Sequence, residues 1–302
     1  MRILLFGANG QVGHELRRSL ASLGEVVATT RSGMLEDGTP CETADFDMPQ
    51  SLTALIERIA PDVVVNAAAY TAVDRAETDR DAAFRANAEA PQRIAEACAA
   101  RDALLVHYST DYVFDGTGTR PYRPDDATAP LGVYGESKLA GEQAVQASGA
   151  RHLIFRTAWV YAAHGKNFMR TMLRLAAERD ELRVVADQVG TPTSAALIAD
   201  TTASALSRPF VHSGVWHLTA AGETTWHGFA EAIFDAAHAR GLLVRVPRVV
   251  PIATADYPTP AKRPGYSVLD TSGLRSDFGI DLPDWSQAVA RTLDEPESTS
   301  AA

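Results

Sequence analysis

The sequence predicts a doubly wound α/β fold, a parallel sheet covered by helices on both faces, joined to a smaller, mainly C-terminal α/β domain. Three observations predict it. Short β-rich runs alternate with segments of helical period through the first half of the chain. A glycine-rich turn follows the first run and opens the first helix. Past Tyr161 the alternation loosens and helices dominate.

The elements follow in order. "RILLFG", "EVVATT", "DVVVNAAA", "LLVHYST" and "HLIFRTAWVY" read as strands. Between them, "QVGHELRRSLASL", "SLTALIERIA", "RDAAFRANAEAPQRIAEACAARD" and "SKLAGEQAVQAS" read as helices, with Pro91 expected to break or kink the longest. Then come the amphipathic "NFMRTMLRLAAERD", a helix at "SAALIADTTASALS", a strand at "GVWHLT" and a helix at "TWHGFAEAIFDAAHARG". The proline-rich "VPIATADYPTPAKRPGYSVLD" reads as an ordered loop over a site, or as a connector, and "DEPESTSAA" as a frayed tail. The expected division is residues 1–160 plus about 190–220 in the larger domain, and about 161–189 plus 221–302 in the smaller.

Composition narrows the function. A formal charge of −10 argues against nucleic acid or an anionic membrane as the main partner. No apolar stretch is long enough for a signal peptide or a transmembrane helix. Two isolated cysteines, Cys41 and Cys98, fit small apolar residues of a reduced, cytoplasmic protein.

Gly7, Gly10 and Gly13 form G-x-x-G-x-x-G between the first strand and the first helix. Glycine there lets the backbone turn sharply and approach a pyrophosphate, which the free N–H groups and positive end of the helix attract. The arrangement points to a Rossmann-like dinucleotide site. At the end of the third run, "NAAAYT" sets small side chains, through Ala69, Tyr70 and Thr71, where a flat ring and a ribose need room. Asp45 could bond an adenine amino group and Phe46 cover its face, although each also suits a surface acid and a core ring. About 20 residues past the glycine loop, where an NAD site carries an acid, stand Thr30, Arg31 and Ser32. A cation and hydroxyls suit a 2′-phosphate, so NADPH is the expected cofactor, with NADH a second choice.

Tyr134 and Lys138 stand four residues apart on a helix and so share a face. A phenol titrating near 10 is a poor proton donor at neutral pH, and an adjacent ammonium lowers it. Upstream, Ser109 and Thr110 end a strand where a hydroxyl can hold a carbonyl oxygen. Donor, proton carrier and tuning cation together describe a carbonyl reductase.

The set G-x-x-G-x-x-G, N-A-A, S-T-D and Y-x-x-x-K resembles the extended short-chain dehydrogenase/reductase superfamily. "NAAAYTAVDRAE", "HYSTDYVFDG", "APLGVYGESKLAGE", "FRTAWVY", "DQVGTPT" and "YPTPAKRPGYSVLD" resemble its dTDP-4-dehydrorhamnose reductase family, over almost the whole chain. The resemblance implies reduction of the C4 ketone of dTDP-4-dehydro-6-deoxy-L-mannose to dTDP-L-rhamnose, with Thr110 on the carbonyl, Tyr134 as proton donor, and Lys138 tuning it and bonding the nicotinamide ribose. It assigns cofactor contacts to Gly10, Gln11, Val12, Asp45, Phe46, Ala69, Tyr70, Thr71 and Tyr108, and substrate contacts to Asp111 and Trp159, the latter equally readable as core. Lys262 and Arg263 become candidates for the substrate diphosphate, a solvated basic pair being the alternative. Tyr112 follows Asp111 where the superfamily's 4,6-dehydratases carry glutamate, which favours simple reduction. The intact Thr110, Tyr134 and Lys138 speak against the family's non-catalytic regulatory relative; another nucleotide-linked 4-keto sugar remains an alternative substrate. The resemblance also implies a monomer or homodimer, and magnesium bridging glutamates between subunits, with Glu15 as one ligand. Ala196 stands where a second glutamate is expected, which places that metal in doubt.

Overall fold

The computed structural model describes residues 1–209 and 212–295. The first six strands are β1 (Arg2–Phe6), β2 (Glu25–Thr30), β3 (Glu42–Thr43), β4 (Val63–Asn66), β5 (Leu104–Thr110) and β6 (His152–Thr157). Four shorter or later ones follow: β7 (Val160–Tyr161), β8 (Glu181–Val185), β9 (Val189–Gly190) and β10 (Thr193–Ser194). The last three are β11 (Gly214–His217), β12 (Thr224–Thr225) and β13 (Arg248–Ile252). Seven strands form one sheet in the order β11-β6-β5-β4-β1-β2-β3, and every pairing in it is parallel. The expected doubly wound sheet is present.

Side chains alternate across its pleat and build two cores. Ile3, Leu5, Val63, Val65, Val106 and Phe155 pack with Leu16, Leu20 and Ile198 on one face. Leu4, Phe6, Val64, Leu105 and Ile154 pack with Leu52, Ile56, Ile94 and Cys98 on the other. A third core gathers helices Phe168–Glu178, Trp226–Ala239 and Trp285–Asp294 over the parallel pair β8 and β13. No helix among the described residues is long and apolar enough to cross a membrane.

Several elements differ from expectation. The run "HLIFRTAWVY" is two strands, because Trp159 takes φ 47° and turns the chain between β6 and β7. The interruption expected at Pro91 takes the form of a wider turn just before it. The preceding residues Arg85–Glu89 widen into a π turn, and Ala90–Arg101 continues as α-helix. Proline has no N–H and its ring would strike the carbonyl of residue 87; the wider turn relieves both. The proline-rich stretch begins in β13, where Pro251 is tolerated because a two-stranded sheet leaves every strand an edge. Helices Ser272–Phe278 and Trp285–Asp294 had no counterpart in the sequence reading, although Asp284, which caps the second by accepting from the Ser286 N–H at 2.9 Å, is a readable start signal. The second closes at Asp294, inside the expected frayed tail, whose residues 296–302 lie outside the described ones.

Helix Val133–Ala147 is fixed to the sheet by a buried ion pair. Arg156 on β6 donates from Nη2 to Glu142 Oε2 at 2.7 Å and from Nε to Oε1 at 3.0 Å, and from Nη1 to the Pro124 carbonyl at 3.1 Å. Glu142→Ala leaves that guanidinium buried and unpaired. Urea unfolding at neutral pH should show a loss of about 3–5 kcal/mol; a loss under about 1 kcal/mol would mean that water reaches Arg156 and compensates it.

Candidate functional site

Strand order reverses between β1 and β4, and there the carboxyl ends of β1, β4, β5 and β6 open onto a cleft of about 800 Å³. Glycine makes its floor possible. Gly7 has φ 81°, and a Cβ on it would stand 2.7 Å from the Ala68 backbone nitrogen; one on Gly13 would stand 2.0 Å from the Gly7 carbonyl oxygen. Gly10 donates its N–H to that same carbonyl at 2.9 Å and begins helix Gln11–Leu20 without a side-chain cap. The free N–H groups and positive end of this helix therefore face the cleft. No acidic residue occupies its first turn.

Most expected residues meet here. Gly7, Gly10, Gln11, Val12, Arg31, Phe46, Ala69, Tyr70, Thr71 and Tyr108 line the cleft, as do Thr110, Asp111, Tyr134, Lys138 and Trp159. Gly13 lies beneath the glycine turn. Asp45 is outside the lining and faces Arg31, whose Nε is 3.5 Å from Asp45 Oδ1 and whose Nη2 is 3.5 Å from Asp47 Oδ2. Lys262 is exposed and off the cleft. Arg263 is also off it, held by Asp74 at 2.8 Å, but its Nη1 is buried without a partner and its charge is felt by Tyr112, which does line the cleft. Lys166 lines it too; one lysine in "HGKN" offers no motif by which sequence could have found it.

The groups expected to handle the proton sit at the end of β5 and the start of helix Val133–Ala147. Thr110 donates to Asp111 Oδ1 at 2.9 Å and accepts from the Tyr112 N–H at 3.2 Å. Burial pushes the Tyr134 phenol up to about 12; a hydrogen bond with Thr110 offsets this and the Asp111 charge reinforces it. Lys138 shares the helix face with Tyr134, yet its ammonium donates to the Tyr108 carbonyl at 2.6 Å and does not figure among the causes of the tyrosine's shift. Burial lowers Lys138 to about 8, and Glu142, one turn on, raises it. The π turn supplies a residue that the sequence reading overlooked. Asn87 accepts the Tyr70 N–H at 2.8 Å and donates to the Tyr70 carbonyl and to Ser137 Oγ, each at 3.0 Å, joining the cleft's "AYT" segment to the tyrosine's helix.

Trp159 forms the far wall. Its ring stacks on Trp226 with centroids 3.6 Å apart and planes 7° from parallel, over Gly190, where a Cβ would stand 2.5 Å from the indole. Trp226 donates to Gln188 Oε1 at 3.1 Å, so "DQVGTPT" carries the pair.

A family model described as RmlD substrate binding domain matches residues 1–298. The curated dTDP-4-dehydrorhamnose reductase of Burkholderia thailandensis is 52% identical over 298 residues, 96% of this chain and 97% of that one. The chain belongs to the dTDP-4-dehydrorhamnose reductase family. A solved reductase of this name from Clostridium acetobutylicum superposes with TM-score 0.88 at 36% identity, over 97% of this chain and 99% of that one. Another, from Bacillus anthracis and in complex with NADP, gives TM-score 0.86 at 33% identity, over 98% and 99%.

The Asp111 carboxyl gives this reductase site a pH signature. Burial raises it from 3.8 to about 6, against hydrogen bonds from Ser267 and Thr110. Between those two values the folded protein keeps a proton that the unfolded chain has released, so stability falls as pH rises through the window. Asp111→Asn cannot ionise and should lack that slope. Its unfolding free energy relative to wild type should climb by about 3 kcal/mol from about pH 4 to pH 7 and then level. Parallel curves for the two proteins would show that the carboxyl titrates as an ordinary surface acid does.

Proposed function

We propose that this chain reduces the C4 ketone of dTDP-4-dehydro-6-deoxy-L-mannose to dTDP-L-rhamnose, the final step of dTDP-rhamnose synthesis, with NADPH as the preferred reductant. The observation that carries the reading is the convergence of Thr110, Tyr134 and Lys138 beside a glycine-turn helix end in one cleft. The reduced nicotinamide, when bound, supplies hydride to the sugar C4. Thr110 and Tyr134 hold the ketone oxygen, and Tyr134 gives it the proton as charge develops. A phenol raised to about 12 stays protonated at neutral pH but is a weak acid, so its donation depends on the Lys138 charge favouring the phenolate. Lys138, buried and cationic, stabilises the phenolate left behind and bonds the nicotinamide ribose. Asp111 and Trp159 orient the sugar.

Gln11 and Val12 would hold the cofactor's pyrophosphate on their N–H groups, Ala69, Tyr70, Thr71 and Tyr108 its nicotinamide half, and Phe46 its adenine. Arg31 meets the 2′-phosphate; Asp45 and Asp47 beside it temper that preference, which leaves NADH usable. Arg263 is the group proposed for the sugar's diphosphate, supported by its unpartnered Nη1; Lys262, exposed, adds long-range charge. The free end of that guanidinium is the reason to expect binding without loss of the Asp74 pair.

Initial rates with a panel of nucleotide-linked 4-keto sugars and both reduced nicotinamides test the assignment directly. Preference for a sugar other than the dTDP-linked 6-deoxy-L-mannose derivative would move the chain to another 4-keto sugar. Tyr134→Phe should lose most turnover while NADPH binding, followed by nicotinamide fluorescence, stays within a few-fold of wild type; near-normal turnover would remove the tyrosine from the mechanism. Arg263→Ala should raise KM for the dTDP-sugar about tenfold or more with a smaller change in kcat, and Arg31→Ala should cut kcat/KM for NADPH about tenfold while sparing NADH.

A further inference from the structure

Helix Gln11–Leu20 carries Gln11 and Val12 toward the cleft and His14 and Glu15 toward a different cavity, of about 500 Å³, which His164 also lines. His164 comes from the segment between β7 and helix Phe168–Glu178. The two imidazoles stand 4.2 Å apart, tilted by 42°, and His164 Nδ1 is 3.8 Å from Glu15 Oε1. One potential ligand atom from each of His14, Glu15 and His164 lies within 4.8 Å of the others. Glu15 is 8% exposed and His164 6%. Within this setting His14 Nδ1 and His164 Nε2 are buried with no hydrogen-bond partner. Neither nitrogen has a hydrogen bond to satisfy it, the acid facing His14 Nδ1 being Glu36, whose Oε2 is 3.9 Å away. A second carboxyl, Glu295, lines the same cavity. Arg18 also lines this cavity, its Nε 3.4 Å from Glu15 Oε2, while Glu15 Oε1 faces His164.

Magnesium bridging glutamates, the metal implied by the sequence resemblance, does not fit this donor set. Magnesium demands an octahedron of oxygen ligands. Here Ala196 lines the cavity without a ligand atom, and two of the three clustered donors are nitrogen. We propose instead that His14, Glu15 and His164 bind a borderline divalent transition metal of the zinc, cobalt or nickel kind. Imidazole suits those ions, and three protein ligands leave a fourth position to water or to Glu295. With metal–ligand bonds of about 2.0–2.2 Å, tetrahedral donors stand about 3.4 Å apart. The present spread closes by side-chain rotation, for which His14, 31% exposed at its side chain, has room.

The ion would clip the first helix to the 162–167 segment. Asn167 in that segment already donates to Gln11 Oε1 at 2.8 Å and caps helix Phe168–Glu178 by accepting the Arg170 N–H at 3.0 Å. Gln11 and Lys166 both line the catalytic cleft, so the clip braces one wall of it without touching the reacting atoms.

The test uses full-length, tag-free protein stripped with chelator and desalted. Titration calorimetry with ZnCl2 should give one ion per chain at micromolar or tighter affinity. CoCl2 should produce visible d–d bands that ZnCl2 abolishes, and ZnCl2 but not MgCl2 should raise Tm. His14→Gln and His164→Gln should each weaken zinc binding about tenfold or more and alter or erase the cobalt bands. His14 is partly exposed, so its variant should fold, as circular dichroism would verify, and it decides the matter even where the His164 variant does not fold. The proposal is overturned by absence of stoichiometric zinc, by binding that the folded His14 variant leaves unchanged, or by magnesium binding as tightly as zinc.

Discussion

The Gly7 carbonyl oxygen is the point from which the cleft and the His14, Glu15 and His164 cluster are both set out. It accepts the Gly10 N–H, and it fills the space that a side chain on Gly13 would need. That contact brings the first helix down onto the end of β1 at the place where strand order reverses. Its first residues then offer uncapped N–H groups to the cleft. One turn later, the same helix directs His14 and Glu15 to the opposite flank. A single close approach of backbone to backbone therefore fixes an anion-binding end and a cluster of metal-type donors on one rigid rod, and displacement of that rod would disturb both.

On the Tyr134 side of the cleft, the buried charged groups are held either by a backbone carbonyl or by an opposite charge. Lys138 is inside the protein because the Tyr108 carbonyl receives its ammonium and Glu142 lies one turn away. Glu142 is inside because Arg156 takes both of its oxygens. The π turn at Arg85–Glu89 belongs to the same chain of dependence. It frees Asn87 to bond Tyr70 and Ser137, and its carbonyl sits where a Cβ on Gly141 would be 2.0 Å away, so the tyrosine's helix packs against it directly. Pro91, which a helix normally excludes, is what makes the wider turn the better geometry. Removing one buried member leaves the next without a partner, and the cost is that of an uncompensated charge.

Much of this was legible in the sequence, and what was not has physical reasons. The central strands were clear because their apolar runs are bounded by glycine, proline and polar residues, and the glycine turn and the Tyr134/Lys138 spacing placed the cleft. Strands β8 and β13 were missed because they carry charged residues, Glu181 and Arg183 in the first and Arg248 in the second, and because Pro251 interrupts the second. The Asp74–Arg263 pair joins residues 189 apart, and no local pattern reports such a contact. Nor could spacing say where the Lys138 ammonium points: the i,i+4 relation puts it on the tyrosine's face, but a strand carbonyl at 2.6 Å fixes its direction. His14 and His164 are 150 positions apart and drew no notice singly; only the fold stacks them.

Trp159 was open to two readings, a substrate contact or a core residue, and the structure shows a ring that lines the cleft and also packs against the third core. Its φ of 47° is a conformation that a bulky residue adopts at a cost of roughly 1–3 kcal/mol. Stacking on Trp226 returns about 0.5–1.5 kcal/mol beyond the area buried. The remainder comes from burying the indole against Gly190 and the third core. Trp226 is itself held by Gln188, whose amide donates to Thr254, and Thr254 in turn donates to Asp187. The strained residue is thus pinned by the C-terminal layer, while its backbone joins β6 of the large sheet to β7. Because the ring faces the cleft, any movement of the third core against the sheet must turn it. The wall opposite Tyr134 is in this way set by packing between two cores, which neither strand periodicity nor a motif records.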